Sequence, residues 1–402
     1  MKDSFKKYAA NESNPNWNNI ISRCTPLYKR DNDIRTEFGR DYTRIIHCNA
    51  YRRLKHKTQV FFSPDNDHIC TRIEHVTHVE SISYTIATYL GLNTELTKAI
   101  AVSHDIGHSP FGHVGERILS SLSQKDVGTT FWHEKNGLDF VDYIELLEDD
   151  NKYKKNLNLT YGVRDGIISH CGEVSENGLN PRTEYINLSD YKYPNQFAPY
   201  TWEACVVKLS DKISYIGRDI EDAITLGILD NHLDELYKLL DSKYAKDKIN
   251  NTIIINYLIT DLCENSSPEK GLCFSQDAFN LINKINEFNY KYIYNCQRIQ
   301  PSNRYFNIVL TEIYSLLKST FEQDHTLENV ENLNKFYPEL YKNFLSFLNN
   351  YFDLGNRENL KLKNQVVFNL NNEKDFYKAI IYFISGMTDN FAIEIYNEII
   401  GF

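Results

Sequence analysis

Residues 104–116 read His104-Asp105-Ile106-Gly107-His108-Ser109-Pro110-Phe111-Gly112-His113-Val114-Gly115-Glu116. Three histidines and two carboxylates fall within this short stretch, interrupted by glycines and a proline. Neighbouring His104 and Asp105 cannot point the same way inside a helix, but at a helix end the backbone can turn both toward one ion. Upstream, Leu96, Ala99, Ile100 and Val102 form a stripe at helical spacing, so a helix over roughly 94–106 is expected to bury that side. Gly107 is expected to take the left-handed turn that stops it. Pro110 and Gly112 then shape a tight loop, and a second helix is expected from near His113, where His113 and Glu116 stand i, i+3 on one face. A lone His-Asp pair would be an ordinary polar corner. This density of titratable groups, with His108 between the two ends, points instead to a metal and catalytic site.

Composition bounds what such a site can belong to. The chain has 402 residues, room for one large domain or two with an ample core. Its net charge of −10 argues against whole-molecule attraction to nucleic acid or anionic membrane, while leaving room for a local basic patch. Eight cysteines without a C-x-x-C pair read as reduced thiols, not as a disulfide framework. The first residues have no apolar core of a signal peptide, and no apolar run reaches the ~20 residues of a membrane span. A soluble, cytoplasmic protein is expected.

Most of the histidines lie between His47 and His170, which places any chemistry in the N-terminal half. Residues 35–61 mix Arg and Lys with Phe38, Ile45, Ile46, Tyr51 and Leu54 at rough helical spacing. They make either an amphipathic helix with a solvated basic face or a seat for an anion such as phosphate. A helix over about 72–90 carries Ile73, Val76, Val79, Ile82, Ile86 and Leu90 as its buried stripe, with Arg72 and His75 together on one side. The interval from His75 to His104 suits a helix, a turn and a second helix running back, so His75 is expected to face His104 and Asp105. Another helix is expected over 131–147; its His133 either reaches back to the site or packs beside Trp132. His170, in the helix-like GIISHC stretch, is a weaker candidate. The polar segments near 149–158 and 174–196 read as long loops, the second flap-like.

Residues 201–228 carry the longest stripe, Trp202, Cys205, Val206, Leu209, Ile213, Ile216, Ile220 and Ala223. Off it, Asp211, Tyr215 and Asp219 step by four and share a face, which would ordinarily be solvated. Imidazole suits Mn, Fe, Co, Ni or Zn, and hard cations prefer oxygen. His75, His104, Asp105 and Asp211 would therefore form a mixed nitrogen–oxygen site with positions left for water and a phosphate oxygen. An ion there can polarise a phosphoryl group and supply hydroxide near neutral pH. His113, ordered by Glu116, is a candidate to protonate a leaving oxygen.

These residues carry a resemblance. His75, His104-Asp105 and Asp211 match the H…HD…D pattern of the HD-domain phosphohydrolase superfamily. Three longer segments resemble the deoxyguanosine triphosphate triphosphohydrolase family: RDYTRIIHCNAYRRLKHKTQVF, HDIGHSPFGHVGE and YFISGMTDNFAIEIY. The likeness spans roughly 35–400 and is weakest over about 230–370. It implies an all-α fold: an N-terminal arm (1–34), an HD catalytic core (35–230) and a helical C-terminal region (231–402). It implies His75, His104, Asp105 and Asp211 as ligands of a divalent metal, Mg or Mn first, with Fe, Co, Ni or Zn as further ions. His113 and Glu116 would be the catalytic pair, with His108 and His133 beside them. RIEH (72–75) and DKISYIGRD (211–219) also resemble the vertebrate dNTP hydrolase that joins a sterile-alpha-motif to an HD domain. By that likeness Arg72 and Lys212 would touch the triphosphate, while Gln59, Tyr215 and Asp219 would meet the deoxyribose.

The implied reaction splits a deoxynucleoside triphosphate (dNTP), by metal-activated water at the α-phosphorus, into deoxynucleoside and inorganic triphosphate. The family also implies a homo-oligomer, often a hexamer, with an allosteric nucleotide or single-stranded DNA as further partners and no membrane. The chain departs from the pattern at Cys70 and Asn390, each in place of Arg, and at Lys212, where many bacterial members have Asp. The first two bear on regulatory or subunit contacts, the third on a preference beyond dGTP. Two alternatives stand beside this reading. One is another HD phosphohydrolase, acting on nucleoside monophosphates or alarmones; the other is a catalytically silent nucleotide-sensing regulator.

Overall fold

The computed structural model describes residues 3–26, 33–62, 66–170, 177–244 and 251–401. In chain order the helices that matter for the site are α1 (Glu37–His47), α2 (Arg72–Leu90), α3 (Thr94–Ser103), α4 (Gly112–Asp126), α5 (His133–Asp139), α6 (Tyr161–Ser169) and α7 (Trp202–Thr225). They are followed by α8 (Leu233–Tyr244), α9 (Asn251–Asn265), α10 (Gln276–Asn289), α11 (Gln300–Lys318), α12 (Pro338–Tyr351), α13 (Glu373–Ser385) and α14 (Asp389–Ile400). The protein is all-α, with one small antiparallel ribbon among the described residues, β1 (Leu146–Glu148) with β2 (Lys154–Asn156), in which Leu147 faces Lys155. That ribbon stands where a long loop was expected near 149–158.

Two compact units are each assembled from three chain segments. The first comprises Met1–Thr43, Val60–His104 and Leu159–Gln300; the second comprises Arg44–Gln59, Asp105–Asn158 and Pro301–Phe402.

In the first unit, α2 begins on a reciprocal cap in which the Glu74 carboxylate accepts from Thr71 N at 2.8 Å. It ends at Gly91, whose φ of 78° is the left-handed conformation that glycine takes without strain. Asn93 then caps α3 by accepting from Glu95 N and Leu96 N, and α3 folds back onto α2. Helix α7 packs on both. Its predicted stripe, Cys205, Val206, Leu209, Ile213, Ile216, Ile220 and Ala223, is buried. Leu258 and Leu262 of α9 and Ile282 and Ile285 of α10 extend the same core. The loop after α6 is anchored: buried Asp165 accepts from Arg182 at 2.5 Å and from Tyr200 N at 2.7 Å. Residues 174–176 of the expected flap, and Cys171, lie outside the described residues.

In the second unit α4 packs on α13, and Phe111, just before α4, stacks on Phe306 with centroids 4.1 Å apart. Phe344 of α12 meets Phe383 of α13 at 5.0 Å. The expected helix over 131–147 is shorter than its pattern: α5 ends at Asp139 and a π-helical turn, Phe140–Ile144, follows it.

Candidate active site

The first unit gathers three of the expected metal ligands. Folding α3 back on α2 sets the His75 and His104 rings 5.5 Å apart, and α7 delivers Asp211 to both. Asp211 Oδ1 lies 2.9 Å from His75 Nε2 and 3.8 Å from His104 Nε2. All three ligand atoms fall within 4.8 Å of one another. His104 sits just past the end of α3, where its Nδ1 is 2.7 Å from the carbonyl of Ala101. A carbonyl only accepts, so Nδ1 carries the hydrogen and Nε2 keeps its lone pair toward Asp211. Basic imidazole nitrogens converging with one carboxylate oxygen are the donor set a borderline divalent ion takes, and metal bonds of ~2.0–2.2 Å are compatible with these separations. The residues fit a metal.

His170, the weaker candidate of the sequence, lies beside this group. Its ring lies 5.0 Å from that of His104, and its Nδ1 is 2.7 Å from the Ile167 carbonyl, the same helix-end device. Its signal in the sequence was the match between VSHD and ISHC, each a histidine closing an apolar helix. Arg72 is the first residue of α2 and is almost wholly buried; Lys212 is buried on α7. Tyr215 and Asp219 follow on that helix, but the face is not solvated as its polarity alone would suggest. Asp219 is 3% exposed and accepts from Tyr294 Oη at 2.5 Å. Burial pushes its carboxyl up to about 7, against the lowering effect of the tyrosine hydrogen bond. Tyr294, from the π-helical turn after α10, was not foreseen, because nothing local marks a partner so distant in sequence.

The second unit gathers the rest. Asp105, the residue after His104, places Oδ1 3.1 Å from His108 Nε2. Glu116, on the first turns of α4, lies 3.0 Å from His113 Nδ1 and 3.1 Å from His133 Nδ1, and also accepts from His133 N at 2.9 Å. His133 therefore reaches Glu116, at the end of the His104–Glu116 stretch, instead of merely packing beside Trp132. Its ring stacks on His108 with centroids 3.7 Å apart. Glu134, buried behind it and not foreseen, puts Oε1 3.4 Å from His133 Nε2. Burial opposes the charged imidazole, yet Glu134 and Glu116 outweigh it and lift His133 to about 9. Burial likewise opposes the Glu116 carboxylate, but the His133 charge and the His113 and His133 hydrogen bonds hold it well below its ordinary range. Burial raises Glu134 to about 7 despite His133. The His113 side chain is 64% exposed, whereas that of His133 is 8% exposed. Gln59 is half-buried at the end of this unit's first segment.

The loop is built differently from its sequence reading. Gly107 does not take the left-handed turn; Phe111 (φ 61°) and Gly112 (φ 58°) do. Gly107 is required by space, since a Cβ there would lie 2.1 Å from the His133 carbonyl oxygen and 2.2 Å from Gly137 N. Strain at Phe111 is held by Asp389, whose carboxylate accepts from Phe111 N at 2.9 Å and from Thr58 N at 2.8 Å. Buried Lys57 donates to the carbonyls of His108 and Ser385.

The HD domain family model matches residues 72–216, a span that runs from Arg72 past Asp211. Over nearly the whole chain, the sequence is similar to deoxyguanosinetriphosphate triphosphohydrolase-like proteins of other organisms. That of Caldanaerobacter subterraneus subsp. tengcongensis is 32% identical over 369 residues, covering 91% of this chain and 86% of the relative. That of Rickettsia bellii is 31% identical over 379 residues, covering 91% and 92%. That of Desulfatibacillum aliphaticivorans is 32% identical over 307 residues, covering 75% and 76%. Such identity, with an HD match that contains the His75, His104 and Asp211 cluster, makes the chain a member of the HD-domain dNTP triphosphohydrolase family.

Proposed function

We propose that the protein hydrolyses deoxynucleoside triphosphates to deoxynucleoside and inorganic triphosphate. The observation that carries this reading is the metal-competent His75–His104–Asp211 cluster, followed in the chain, from the residue after His104, by a loop bearing a carboxylate-held histidine. His75, His104, Asp105 and Asp211 would hold a divalent ion, which when bound polarises the phosphate and lowers the pKa of water. The remaining steps belong to the side chains. Arg72 and Lys212 bind the triphosphate as fixed cations. Tyr215 and Gln59 pack at the sugar, and Asp219, held in place by Tyr294, accepts from the 3′-hydroxyl.

Attack at the α-phosphorus expels a 5′-alkoxide, which leaves slowly unless it is protonated. His113 is the proton donor in this reading. Its Nδ1–H is held by Glu116, so Nε2 on the exposed edge of the ring carries the proton that is delivered. His133 is less suited, because it is buried and its proton is retained to about pH 9; it instead keeps Glu116 ionised.

The test is a product assay on the purified protein with Mg or Mn and each of the four dNTPs and NTPs, alone and in pairs. Inorganic triphosphate plus deoxynucleoside is the expected outcome, with dNTPs preferred over NTPs by roughly 10²-fold or more, the discrimination a lost hydrogen bond or a clash at the 2′ position brings. Release of orthophosphate or pyrophosphate would assign the site to another HD reaction. Tight nucleotide binding without any product would make it a sensor.

A further inference from the structure

Two buried charges of the second unit, Lys57 and Asp389, are directed at main-chain groups. Lys57 Nζ donates to the carbonyls of His108 and Ser385. One oxygen of the Asp389 carboxylate accepts from Phe111 N at 2.9 Å, the other from Thr58 N at 2.8 Å. Residues 57 and 58 are thereby clasped both to the histidine loop and to the junction of α13 and α14.

An acid in the first turn of a helix ordinarily serves that helix, by facing its own free amides. In α14 the capping role falls to Thr388, whose hydroxyl accepts from Phe391 N at 3.2 Å. The two Asp389 oxygens go instead to amides 278 and 331 residues away in sequence. Burial pushes the Asp389 carboxyl up, and the hydrogen bonds from Thr58 and Phe111 together with the Lys57 charge oppose that rise. A carboxylate buried in this way is costly unless both oxygens are engaged. Its position is explained by the two segments it joins.

Each segment leads directly to a residue of the proposed reaction. Phe111 has φ of 61° and stands immediately before α4, with His113 in the first turn of that helix. The setting of the Phe111 peptide therefore aims the His113 ring. Thr58 immediately precedes Gln59. The two carboxylate oxygens are fixed relative to each other, so neither amide shifts without the other. A displacement of about 1 Å at such a point can cost roughly 10²-fold in rate.

We propose that Asp389 is a positioning residue that holds Gln59 and His113 in one register and thereby sets the preference for deoxyribose over ribose. This rests on the proposed function, in which Gln59 meets the sugar and His113 protonates the leaving oxygen. Asp389→Asn keeps the shape but turns an NH₂ toward one of the two N–H donors, so one hydrogen bond is lost. Thr388→Ala is the companion variant, because it weakens the end of α14 and leaves the carboxylate in place. The full-length proteins are compared by kcat and KM for the most active dNTP and its ribonucleotide, and by bound Mn. The ratio of the two kcat/KM values does not depend on how much of a preparation is folded. Asp389→Asn is expected to keep its Mn, lose about 10–10²-fold in kcat, and lower that ratio about tenfold or more. Thr388→Ala is expected to unfold at a lower temperature with the ratio intact. A wild-type ratio in Asp389→Asn, however far kcat falls, would reduce Asp389 to a structural role and overturn the proposal. An equal loss of ratio in Thr388→Ala would overturn it as well, by assigning the effect to the helix end. If wild type releases no deoxynucleoside, the proposed function fails and the claim on sugar choice fails with it. Amide hydrogen exchange then still decides the clasp: Asp389→Asn should speed exchange over both 57–59 and 108–113, and unchanged exchange in either would overturn the coupling.

Discussion

Glu116 is shared by two histidines that differ in almost everything else. His113 is mostly exposed and bonded by one ring nitrogen, whereas His133 is buried, stacked on His108 and flanked by two carboxylates. A proton donor must both reach its substrate and release its proton near working pH, so the two should separate cleanly on mutation. His113→Ala is expected to keep the ion and the nucleotide yet lose single-turnover rate by about 10²–10⁴-fold, with Glu116→Ala losing less. Normal turnover in His113→Ala beside a dead His133→Ala would reverse the assignment. His133 should instead reveal itself in stability. Its pKa is about 9 in the folded protein against the ordinary 6.5. Between those values the folded state holds a proton that the unfolded chain has released. Stability from this group is therefore full below about pH 6.5 and is lost as pH rises through 9. Thermal unfolding of metal-free protein across that range is expected to show a downward slope that flattens in His133→Gln. An identical slope in the variant would remove His133 from the account.

At the scale of elements, the helices that carry the site were legible because each buries one continuous stripe. The apolar positions of 72–90 and 201–228 return near the bounds of α2 and α7. The turns were legible only where glycine has one use. Gly91 and Gly107 look alike in sequence, each following an apolar helix, but only Gly91 has a positive φ. Gly107 is small because α5 passes against it, and that approach is set by packing that no local pattern encodes. Gly107→Ala is accordingly expected to behave as an overpacked site, costing ~1–3 kcal/mol or more, because backbone atoms of His133 and Gly137 must yield. Chemical denaturation measures the loss, and a change within a few tenths of a kcal/mol of wild type would sink the packing argument. The β1–β2 ribbon was missed because Lys154–Asn156 has no alternation to read. Tyr294 was missed, and His170 read only as a weaker candidate, because their partners, Asp219 and His104, are far away in sequence.

For the whole molecule, the interleaving of the two units matters more than any boundary drawn along the chain. A continuous catalytic core over 35–230 is the natural expectation from the motifs, all of which fall within it. The first unit nevertheless continues to Gln300, and its core takes Leu258, Leu262, Ile282 and Ile285 from beyond residue 230. Each is fully buried, and burying one such side chain is worth roughly 1.5–3 kcal/mol. Four of them together contribute about 6–12 kcal/mol, comparable to the whole net stability of an ordinary domain, about 5–15 kcal/mol. The 1–230 fragment also omits Asp389 and Ser385, which hold Phe111 N and, through Lys57, the loop at His108. A protein ending at residue 230 should therefore lose both the core under α7 and the brace on the loop. Expressed alone, residues 1–230 are expected to give no cooperative thermal transition by circular dichroism and no saturable Mn binding, while the full chain gives both. Residues 1–300 should recover part of the helical signal, because the first unit's segments are then all present, but not hydrolysis. A sharp transition with stoichiometric metal in the 1–230 fragment would mean that α9 and α10 only cover a core already able to stand by itself.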